Sequence, residues 1–421
     1  MPEYDVIVVG AGFAGPVAAK KCAEAGLRTL LLERAAQPGH KVISSCLVPI
    51  TGFLLGPSWL REENPPLERA GYGVAVHYVK GGEVFLTVKT ELAMPMGYMI
   101  YCRPFCTWEA EKAVQAGAEL RTSTTAVDVT KDGRRITGVV TDEGERLDSR
   151  VVIDAEGSEN LLAIKAGIRR KFPPESIELC LLYDFEMPQA DIEDVTGGDL
   201  EFYWAMPDEE IHAPPGEGTL GVYVFPYRQS LHLTFGQFLA MKDRKAIASD
   251  GCKLIQSYAD NFFNIRRWRE LIAPKAKLRA RVWATAPLYA NLDPEVRAMP
   301  VYGDGMLIVG DAGGFETSAS GNGVDTAWIT AEIAADVAIE AIKNNDVSAS
   351  FLERYAQRCQ AHPVMVDLCS PQRRDLTSTQ HDLGQMIQGS LGYFTGDAML
   401  RMAELVKTTN LEDVKKLLPL L

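Results

Sequence analysis

Two short runs of apolar residues near the amino terminus flank a segment whose apolar positions recur at helical spacing. The runs are YDVIVV at 4–9 and RTLLLE at 28–33, and the helical segment covers 16–26. Uninterrupted runs rich in β-branched residues and leucine are typical of strands buried on both faces of a sheet. The pattern therefore predicts a β–α–β unit at the start of the chain.

The next part of the chain changes from a helical pattern to a series of strand patterns. Residues 101–120 have the spacing of an amphipathic helix, and residues 121–158 read as short strands. Asp-Gly at 132–133 and Glu-Gly at 143–144 predict turns between these strands. We therefore expect antiparallel strands that finish in a buried strand at 151–153.

Far along the chain, another buried strand pattern leads into a glycine-rich loop. GMLIVGDAGG at 305–314 predicts a strand with Asp311 directly after its end. The residues at 324–343 then place Ala, Ile and Val at helical spacing. Two further amphipathic patterns predict that 346–421 is a helical region that caps the substrate domain, with contact with a membrane surface as the alternative.

Composition narrows the class of protein. The chain has 421 residues, 47% hydrophobic and 24% charged, so it is long enough for more than one core. Its net charge of −13 argues against a general nucleic-acid binder. No apolar run reaches the ~18 residues of a membrane span, and no secretory signal is evident. We expect a cytoplasmic protein with reduced cysteines, at most peripheral membrane contact, and no metal site, because no C-x-x-C pair occurs.

A dinucleotide-binding fingerprint follows the first strand. Gly10, Gly12 and Gly15 form G-x-G-x-x-G between strand and helix, and Glu33 ends the second strand. These glycines permit a tight turn, close approach to a pyrophosphate and helix packing, while the carboxylate suits ribose hydroxyls. The same glycine spacing at 216–221 lacks a following helix and predicts a turn entering a strand. The fingerprint alone leaves NAD and FAD as alternatives.

Three later segments make the chain similar to a flavoprotein family. They are Arg103 at the start of a helix, the turn DAEG at 154–157, and Gly310-Asp311. In this order they resemble the glutathione-reductase-type flavoproteins with the para-hydroxybenzoate hydroxylase fold, although Glu156 stands where Asp is usual. The resemblance implies that Asp311 holds a ribityl or ribose hydroxyl of FAD and that the helix after Gly323 points toward the flavin ring.

A closer resemblance, over nearly the whole chain, is to geranylgeranyl reductases and electron-transfer-flavoprotein:quinone oxidoreductases, including the Fix proteins. ERAAQPGHK at 33–41 looks like the segment that leads to their first active-site loop. YVFPY at 223–227 looks like the reductases' Tyr-x-Trp-x-Phe-Pro motif, with Val224 in place of Trp. Cys46 matches a cysteine often found in their active-site loop.

The resemblance implies an FAD-dependent oxidoreductase that reduces a carbon–carbon double bond of an apolar, isoprenoid-like or enoyl substrate. Hydride comes from reduced flavin, and Cys46, Tyr223 and Tyr227 are the candidate proton donors. Phe225 and Pro226 are expected to contact the substrate. The expected contacts to FAD are Gly10, Gly12, Gly15, Glu33, Arg34, Lys41, Arg103, Val127, Gly157, Gly310, Asp311, Gly321, Asn322 and Gly323.

The expected fold class is α/β. It comprises a Rossmann-like FAD-binding domain of the glutathione-reductase type, an inserted antiparallel-sheet substrate domain and a helical C-terminal region. The predicted boundaries assign 1–60, 98–170 and 285–345 to the FAD-binding domain, 61–97 and 171–284 to the substrate domain, and 346–421 to the C-terminal region.

Other flavin reactions remain as alternatives. An electron-transfer dehydrogenase would pass electrons between a protein partner and a quinone. An aromatic monooxygenase commonly has His-Pro after G-D-A, which this chain lacks, and a halogenase would carry Trp-x-Trp, which is also absent. The reductase would take electrons from NAD(P)H, a ferredoxin or an electron-transfer flavoprotein, because no separate nicotinamide domain is evident.

Overall fold

A computed structural model of the chain describes residues 2–40, 45–92, 95–205, 219–238, 244–287, 290, 294–316, 323–362 and 365. Eighteen strands form three sheets within these residues. In chain order the strands are β1 (Tyr4–Val9), β2 (Thr29–Leu32), β3 (Ser45–Pro49), β4 (Arg69–Gly71), β5 (Gly73–Lys80), β6 (Glu83–Glu91), β7 (Gly97–Tyr101), β8 (Glu119–Arg121), β9 (Ala126–Asp132), β10 (Arg135–Thr141), β11 (Arg146–Asp154), β12 (Glu178–Glu186), β13 (Leu200–Ala205), β14 (Thr219–Pro226), β15 (Ser230–Phe238), β16 (Lys277–Ala286), β17 (Tyr302–Gly303) and β18 (Met306–Ile308).

Ten α-helices connect these strands within the described part of the chain. They are α1 (Ala14–Glu24), α2 (Ile50–Leu55), α3 (Trp59–Glu62), α4 (Cys102–Gln115), α5 (Leu161–Ala166), α6 (Gln189–Thr196), α7 (Arg244–Phe262), α8 (Pro294–Arg297), α9 (Val324–Lys343) and α10 (Ala349–Ala361). Short 3₁₀ turns occur at Pro174–Ser176 and Gly310–Gly313, and a π-helical turn covers Arg267–Ile272. Among these described helices, none has both the length and the apolar character that a bilayer span requires.

The first sheet has a parallel core built from distant parts of the chain. Its order is β17-β18-β11-β1-β2-β8. The five strands from β18 to β8 run parallel to one another, and β17 is antiparallel to β18. Strands β9 and β10 extend from β11 as an antiparallel meander. Side chains of β1 and β2 are buried on both faces, as the uninterrupted apolar runs predict. The Rossmann-like architecture is confirmed.

Helices α1, α4 and α9 pack together over one face of this parallel core. Trp328 of α9 is fully buried there, with its ring edge-on to the rings of Phe13 and Phe53. The predicted helix over 324–343 is confirmed at both ends. The predicted helix over 101–120 is too long: it ends at Gln115, and Glu119–Arg121 instead forms β8, which pairs with β2.

The second sheet has seven strands in the order β16-β12-β15-β14-β13-β5-β6 and is antiparallel except between β13 and β5. One face packs against α7 through a large apolar cluster. The other face carries a second cluster that includes residues of β3 and β7. These two strands belong to a small sheet of order β3-β7-β4. The inserted antiparallel sheet is thus present, while the domain boundaries stay a prediction.

Candidate active site

The loop between β1 and α1 leaves open space at only one of its three motif glycines. Gly10 has φ +104°, and a side chain there would overlap the carbonyl oxygen of Ala155. A side chain at Gly15 would overlap the carbonyl oxygen of Gly10. At Gly12, by contrast, an added Cβ atom would meet no protein atom within 4 Å. The first and third glycines therefore serve the protein's own packing, and Gly12 lines an open cradle that fits a ligand.

Glu33 lies directly after β2 and is tied to this loop. One carboxylate oxygen accepts a hydrogen bond from the backbone N–H of Ala11 at 2.9 Å, and the other accepts one from the N–H of Ala35 at 2.8 Å. Both oxygens of Glu33 thus hold backbone beside the glycine loop. Hydrogen bonds to a charged carboxylate are stronger than neutral ones, so the carboxylate is held in place before any ligand binds.

The start of α4 lies against the same loop. The N–H of Gly39 donates a hydrogen bond to the carbonyl of Ala11 at 3.3 Å. A Cβ atom at Gly39 would lie 3.0 Å from the Cα atom of Arg103 and 2.8 Å from the Cβ atom of Cys106. Arg103 itself is exposed. The close packing at Gly39 therefore brings the glycine loop and the first turn of α4 together, and the contact of Arg103 with FAD stays a prediction.

Other predicted contacts lie around this loop in different settings. The guanidinium of Arg34 forms a bidentate ion pair with Glu159, at 2.8 and 3.1 Å. Val127 is half-buried on β9, and Gly157 has φ +80° in the turn after β11. The predicted residues Lys41, Gly321 and Asn322 lie outside the described residues.

A carboxyl pair lies at the end of β11, where Asp154 is the fully buried last residue of the strand and Glu156 is half-buried in the turn that follows. Asp154 accepts a hydrogen bond from the N–H of Glu156 at 3.1 Å, and Glu156 accepts one from the N–H of Leu162 at 2.7 Å. Burial raises the pKa of both carboxyl groups, and the charge of Asp154 raises that of Glu156 further. The unusual glutamate in DAEG therefore caps the start of α5 and adds a proton-holding group beside the glycine loop.

Asp311 lies in the short 3₁₀ turn that follows β18. Gly310 has φ +56°, and its N–H donates to the hydroxyl of Thr330 at 3.0 Å. A Cβ atom at Gly323, just before α9, would lie 3.0 Å from Oδ1 of Asp311 and 3.4 Å from Cγ of Glu316. The structure thus brings the predicted residues Gly310, Asp311 and Gly323 together at the start of α9.

The YVFPY segment lies in the second sheet and contributes side chains to the face that carries the second cluster. Val222 and Val224 point into the core beside α7, whereas Tyr223 and Phe225 are half-buried on the other face. The half-buried apolar side chains of this surface, called here the apolar surface, are Leu47, Leu86, Val88, Met96, Tyr101, Tyr223 and Phe225. Pro226 is buried beside them. A partly exposed apolar surface of this kind suits an apolar ligand.

Tyr227 joins the second sheet to β3. Its hydroxyl accepts a hydrogen bond from the backbone N–H of Cys46 at 2.9 Å and donates one to the carbonyl of Ile100 at 2.8 Å. Burial raises the pKa of the Tyr227 phenol well above its usual value. Burial likewise raises the pKa of the Cys46 thiol, with Cys102, Asp325 and Glu316 adding to the effect. Two of the three predicted proton donors, Cys46 and Tyr227, are therefore adjacent, but their raised pKa values mean that both hold their protons tightly.

A polar group beside Tyr227 was missed by the sequence reasoning. Its members are Tyr101, Asp184, Ser230, His232 and Arg279, from four strands. The alternation SLHLTFG at 230–236 places polar residues on one face of β15 and was the available signal. Partners on β7, β12 and β16 are too distant in sequence for that pattern to identify.

Known proteins resemble this chain along most of its length. A family model described as FAD dependent oxidoreductase matches residues 5–214. Digeranylgeranylglycerophospholipid reductase 1 of Methanopyrus kandleri is 31% identical over 373 residues, covering 85% of this chain and 86% of that protein. The chain belongs to the FAD-dependent oxidoreductases. FAD is its cofactor, and the open cradle at Gly12 beside the anchored carboxylate of Glu33 fits a dinucleotide.

Two further comparisons also match this FAD-dependent oxidoreductase over most of its length. Protein FixC of Salmonella typhi is 26% identical over 385 residues, covering 86% of this chain and 82% of that protein. The crystal structure of a geranylgeranyl bacteriochlorophyll reductase-like protein from Thermoplasma acidophilum matches with a TM-score of 0.68 and 19% identity, covering 96% and 99% of the two chains. The latter likeness shows a shared fold.

Proposed function

We propose that this FAD-dependent oxidoreductase reduces a carbon–carbon double bond in an isoprenoid chain, with a geranylgeranyl-bearing lipid as the first candidate substrate. The single observation that carries the proposal is the apolar surface, whose side chains are half-buried where the second sheet meets β3 and β7. The reductase relative from Methanopyrus kandleri supports the choice of an isoprenoid over another apolar molecule.

The cofactor would be held by residues that follow three parallel strands, β1, β2 and β18, at the carboxyl end of the parallel sheet. Gly12 and the start of α1 would receive the pyrophosphate, because unpaired N–H groups at a helix N-terminus favour an anion. Glu33 would accept hydrogen bonds from ribose hydroxyls, and Asp311 would hold a hydroxyl of the ribityl chain. Bound FAD would supply hydride to the substrate. The protein's own residues would orient the alkene, exclude water and provide the proton.

Tyr223 and Phe225 would contact the apolar chain of the substrate. They lie on the exposed side of β14, and the ring of Tyr223 packs 4.7 Å from that of Phe202 and 5.9 Å from that of Phe225. Rings supported in this way offer a rigid apolar wall at small entropic cost. We further propose an electron donor outside the chain, either NAD(P)H or a redox protein, and a cytoplasmic location with peripheral membrane contact to reach a lipid.

Anaerobic single-turnover measurements test this function. The purified protein with bound FAD is reduced by light, then mixed with a geranylgeranyl lipid in detergent. We expect flavin absorbance to return and the lipid to gain two hydrogens, at one double bond, for each flavin reoxidised, measured by mass spectrometry. The fully saturated lipid is the matched control and should leave the flavin reduced.

The relative named FixC supports a second candidate, an electron-transfer dehydrogenase. The same reduced protein is therefore mixed with a short-chain quinone. Rapid reoxidation by quinone, together with no reaction toward any isoprenoid or enoyl compound, would replace the reductase proposal with this one. Oxygen-dependent hydroxylation of an aromatic compound would instead indicate a monooxygenase.

A further inference from the structure

Tyr101 lies at the junction between the cofactor loops and the second sheet. It is the last residue of β7 and directly precedes α4, whose first turn packs against Gly39 and the glycine loop. Its side chain is half-buried and belongs to the apolar surface. Its hydroxyl lies 2.7 Å from the hydroxyl of Ser230 on β15. Tyr101 therefore connects the two parts between which the substrate would bind.

Tyr101 and Tyr227 stack on each other but differ in what their hydroxyls do. The ring centroids lie 4.4 Å apart with an angle of 26° between the planes. The Tyr227 hydroxyl already donates its proton to the carbonyl of Ile100 and accepts from the N–H of Cys46. Donating that proton elsewhere would break a buried hydrogen bond and cost stability. The Tyr101 hydroxyl has only side-chain partners among its described contacts, and these can reorient.

A cation supports the Tyr101 hydroxyl. The guanidinium of Arg279 on β16 lies near enough for its positive charge to lower the pKa of this phenol. The same guanidinium pairs with Asp184 on β12, through Nη2 at 2.6 Å and Nε at 2.8 Å. The imidazole of His232 lies 2.8 Å from the other oxygen of Asp184, and its ring centroid lies 4.4 Å from that of Tyr227. Asp184 thus pairs with Arg279 through one oxygen, while His232 lies beside the other.

The surroundings of the Tyr101 phenol shift its pKa in opposite directions. Burial raises the pKa of Tyr101, and the carboxylate of Glu68 adds to this. The hydrogen bond with Ser230 and the positive charge of Arg279 lower the pKa of the same group. A positive charge beside a phenol favours its anionic form, which is the form left after proton donation. Tyr227 has no cation among the groups that shift its pKa.

We propose that Tyr101 is the catalytic proton donor of the alkene reduction, with Arg279 stabilising the phenolate that remains. The inference rests on the proposed function. The π bond of the alkene breaks, hydride with its electron pair joins one carbon, and the Tyr101 proton joins the other. The alkene gains two electrons, which the reduced cofactor supplies. The phenolate then regains a proton from water, with Asp184 and His232 holding Arg279 in position.

Substitution of the tyrosine by phenylalanine tests the donor directly. In Tyr101→Phe the stacked ring remains and only the hydroxyl is lost. We expect the single-turnover rate of alkene saturation to fall roughly 100- to 10,000-fold, the usual range for loss of a general acid. The affinity for FAD and the rate of photoreduction should not change. Tyr98→Phe, the same change on the same strand, is the matched control and should react like the wild type.

A second variant tests the proposal even if Tyr101→Phe fails to fold. Ser230→Ala removes the 2.7 Å partner of the Tyr101 hydroxyl without altering the aromatic stack. We expect a smaller fall in the same rate, roughly tenfold. A Tyr101→Phe rate within threefold of the wild type would overturn the proposal. So would a large fall in Tyr223→Phe while Tyr101→Phe reacts normally.

A titration without substrate separates this inference from the proposed function. Fluorotyrosine incorporated at position 101 has a lower phenol pKa than tyrosine. Its ionisation can therefore be measured by absorbance closer to neutral pH. We expect Arg279→Gln to raise its pKa by roughly one to three pH units, because the facing cation is lost. Arg281→Gln on the same strand should leave it unchanged.

The outcomes distinguish the two proposals. If no alkene reoxidises the wild-type protein, the proposed reaction fails even where Arg279 controls the phenol. If alkenes reoxidise the flavin but Arg279→Gln leaves the pKa at position 101 unchanged, the role proposed for Arg279 is wrong and the proposed reaction stands.

Discussion

The hydroxyl of Tyr227 lies 2.9 Å from the backbone nitrogen of Cys46, although 181 residues separate them in the chain. The contact attaches the end of β14 in the second sheet to β3 in the small sheet. A second hydrogen bond, from the same hydroxyl to the carbonyl of Ile100, adds β7. One phenol therefore links three strands at the predicted active-site loop, and this arrangement indicates a structural role for Tyr227.

Tyr227→Phe should lower the free energy of unfolding without stopping proton transfer to the alkene. The variant leaves the N–H of Cys46 and the carbonyl of Ile100 without their buried partner, which typically costs about 1–3 kcal/mol. Urea unfolding measures the free energy, and single-turnover alkene reduction measures the chemistry. Phe225→Leu, on the apolar surface, is a useful comparison because it should weaken substrate binding with little change in stability. A fall in rate of 100-fold or more in Tyr227→Phe, with stability retained, would make Tyr227 the donor.

Two glycine substitutions should separate cofactor binding from folding. Gly12→Ala places a methyl group where no protein atom lies within 4 Å, so the FAD-free protein should unfold within about 0.5 kcal/mol of the wild type. Its affinity for FAD, measured by quenching of flavin fluorescence, should fall at least about tenfold, which corresponds to ~1.4 kcal/mol.

Gly15→Ala is the contrasting variant. Its methyl group would overlap the carbonyl oxygen of Gly10, so the FAD-free protein itself should lose about 1–3 kcal/mol. Equal affinity for FAD in Gly12→Ala and the wild type would show that the cofactor does not occupy the space in front of Gly12.

Glu33→Gln should weaken the binding of FAD. The neutral amide can accept only one of the two backbone hydrogen bonds that the carboxylate now receives, and its NH₂ group faces the second donor. We expect the dissociation constant for FAD to rise at least about tenfold, or ~1.4 kcal/mol. Isothermal titration of the FAD-free protein checks this. Glu24→Gln, at the exposed end of α1, is the control and should bind FAD normally.

Glu109→Gln should stabilise the protein at high pH. Glu109 is fully buried on α4 and accepts a hydrogen bond from Nε1 of Trp328 at 2.6 Å. Burial raises its pKa well above the usual value, so the native state retains a proton that the unfolded chain loses above pH ~4.3. The contribution of this group to stability is therefore complete at low pH and falls as pH rises toward the native pKa.

Glutamine keeps the acceptor for Trp328 and removes this pH dependence. Urea unfolding at pH 4 and pH 8 should show similar stabilities at the lower pH and a more stable variant at the higher pH. Glu111→Gln, exposed on the same helix, should follow the wild type at both values. A variant that is less stable than the wild type at pH 8 would mean that Glu109 is ionised in the native protein.

Local patterns in the sequence predict those parts of the fold that short-range physics decides. The bounds of β1 and α9 follow from an uninterrupted apolar run and from helical spacing, respectively. The end of α4 was misplaced because the strand at Glu119–Arg121 exists only through its pairing with β2. Gly117, with φ +104°, was the local signal for the end of that helix.

The residues of the candidate site also fall into two groups, those that local sequence predicts and those that it does not. Motif spacing identifies Glu33 and Asp311 before the fold is known, because each follows a predicted strand. The partnership of Tyr101 with Ser230 and Arg279 depends on three strands far apart in the chain, and no spacing rule connects them. Side chains brought together by sheet order therefore require the structure.

The order of strands in the parallel sheet also governs when the protein can acquire its flavin during synthesis. β1 is made first, but β18, which precedes Asp311, follows only after the whole second sheet has left the ribosome. At ~5–20 residues per second, the nascent chain spends many seconds with the edge of β11 uncovered, a state prone to aggregation. If Asp311 holds FAD as proposed, we expect the complete cofactor site to form only late in synthesis, when the flavin available to the cell would affect how much loaded enzyme accumulates.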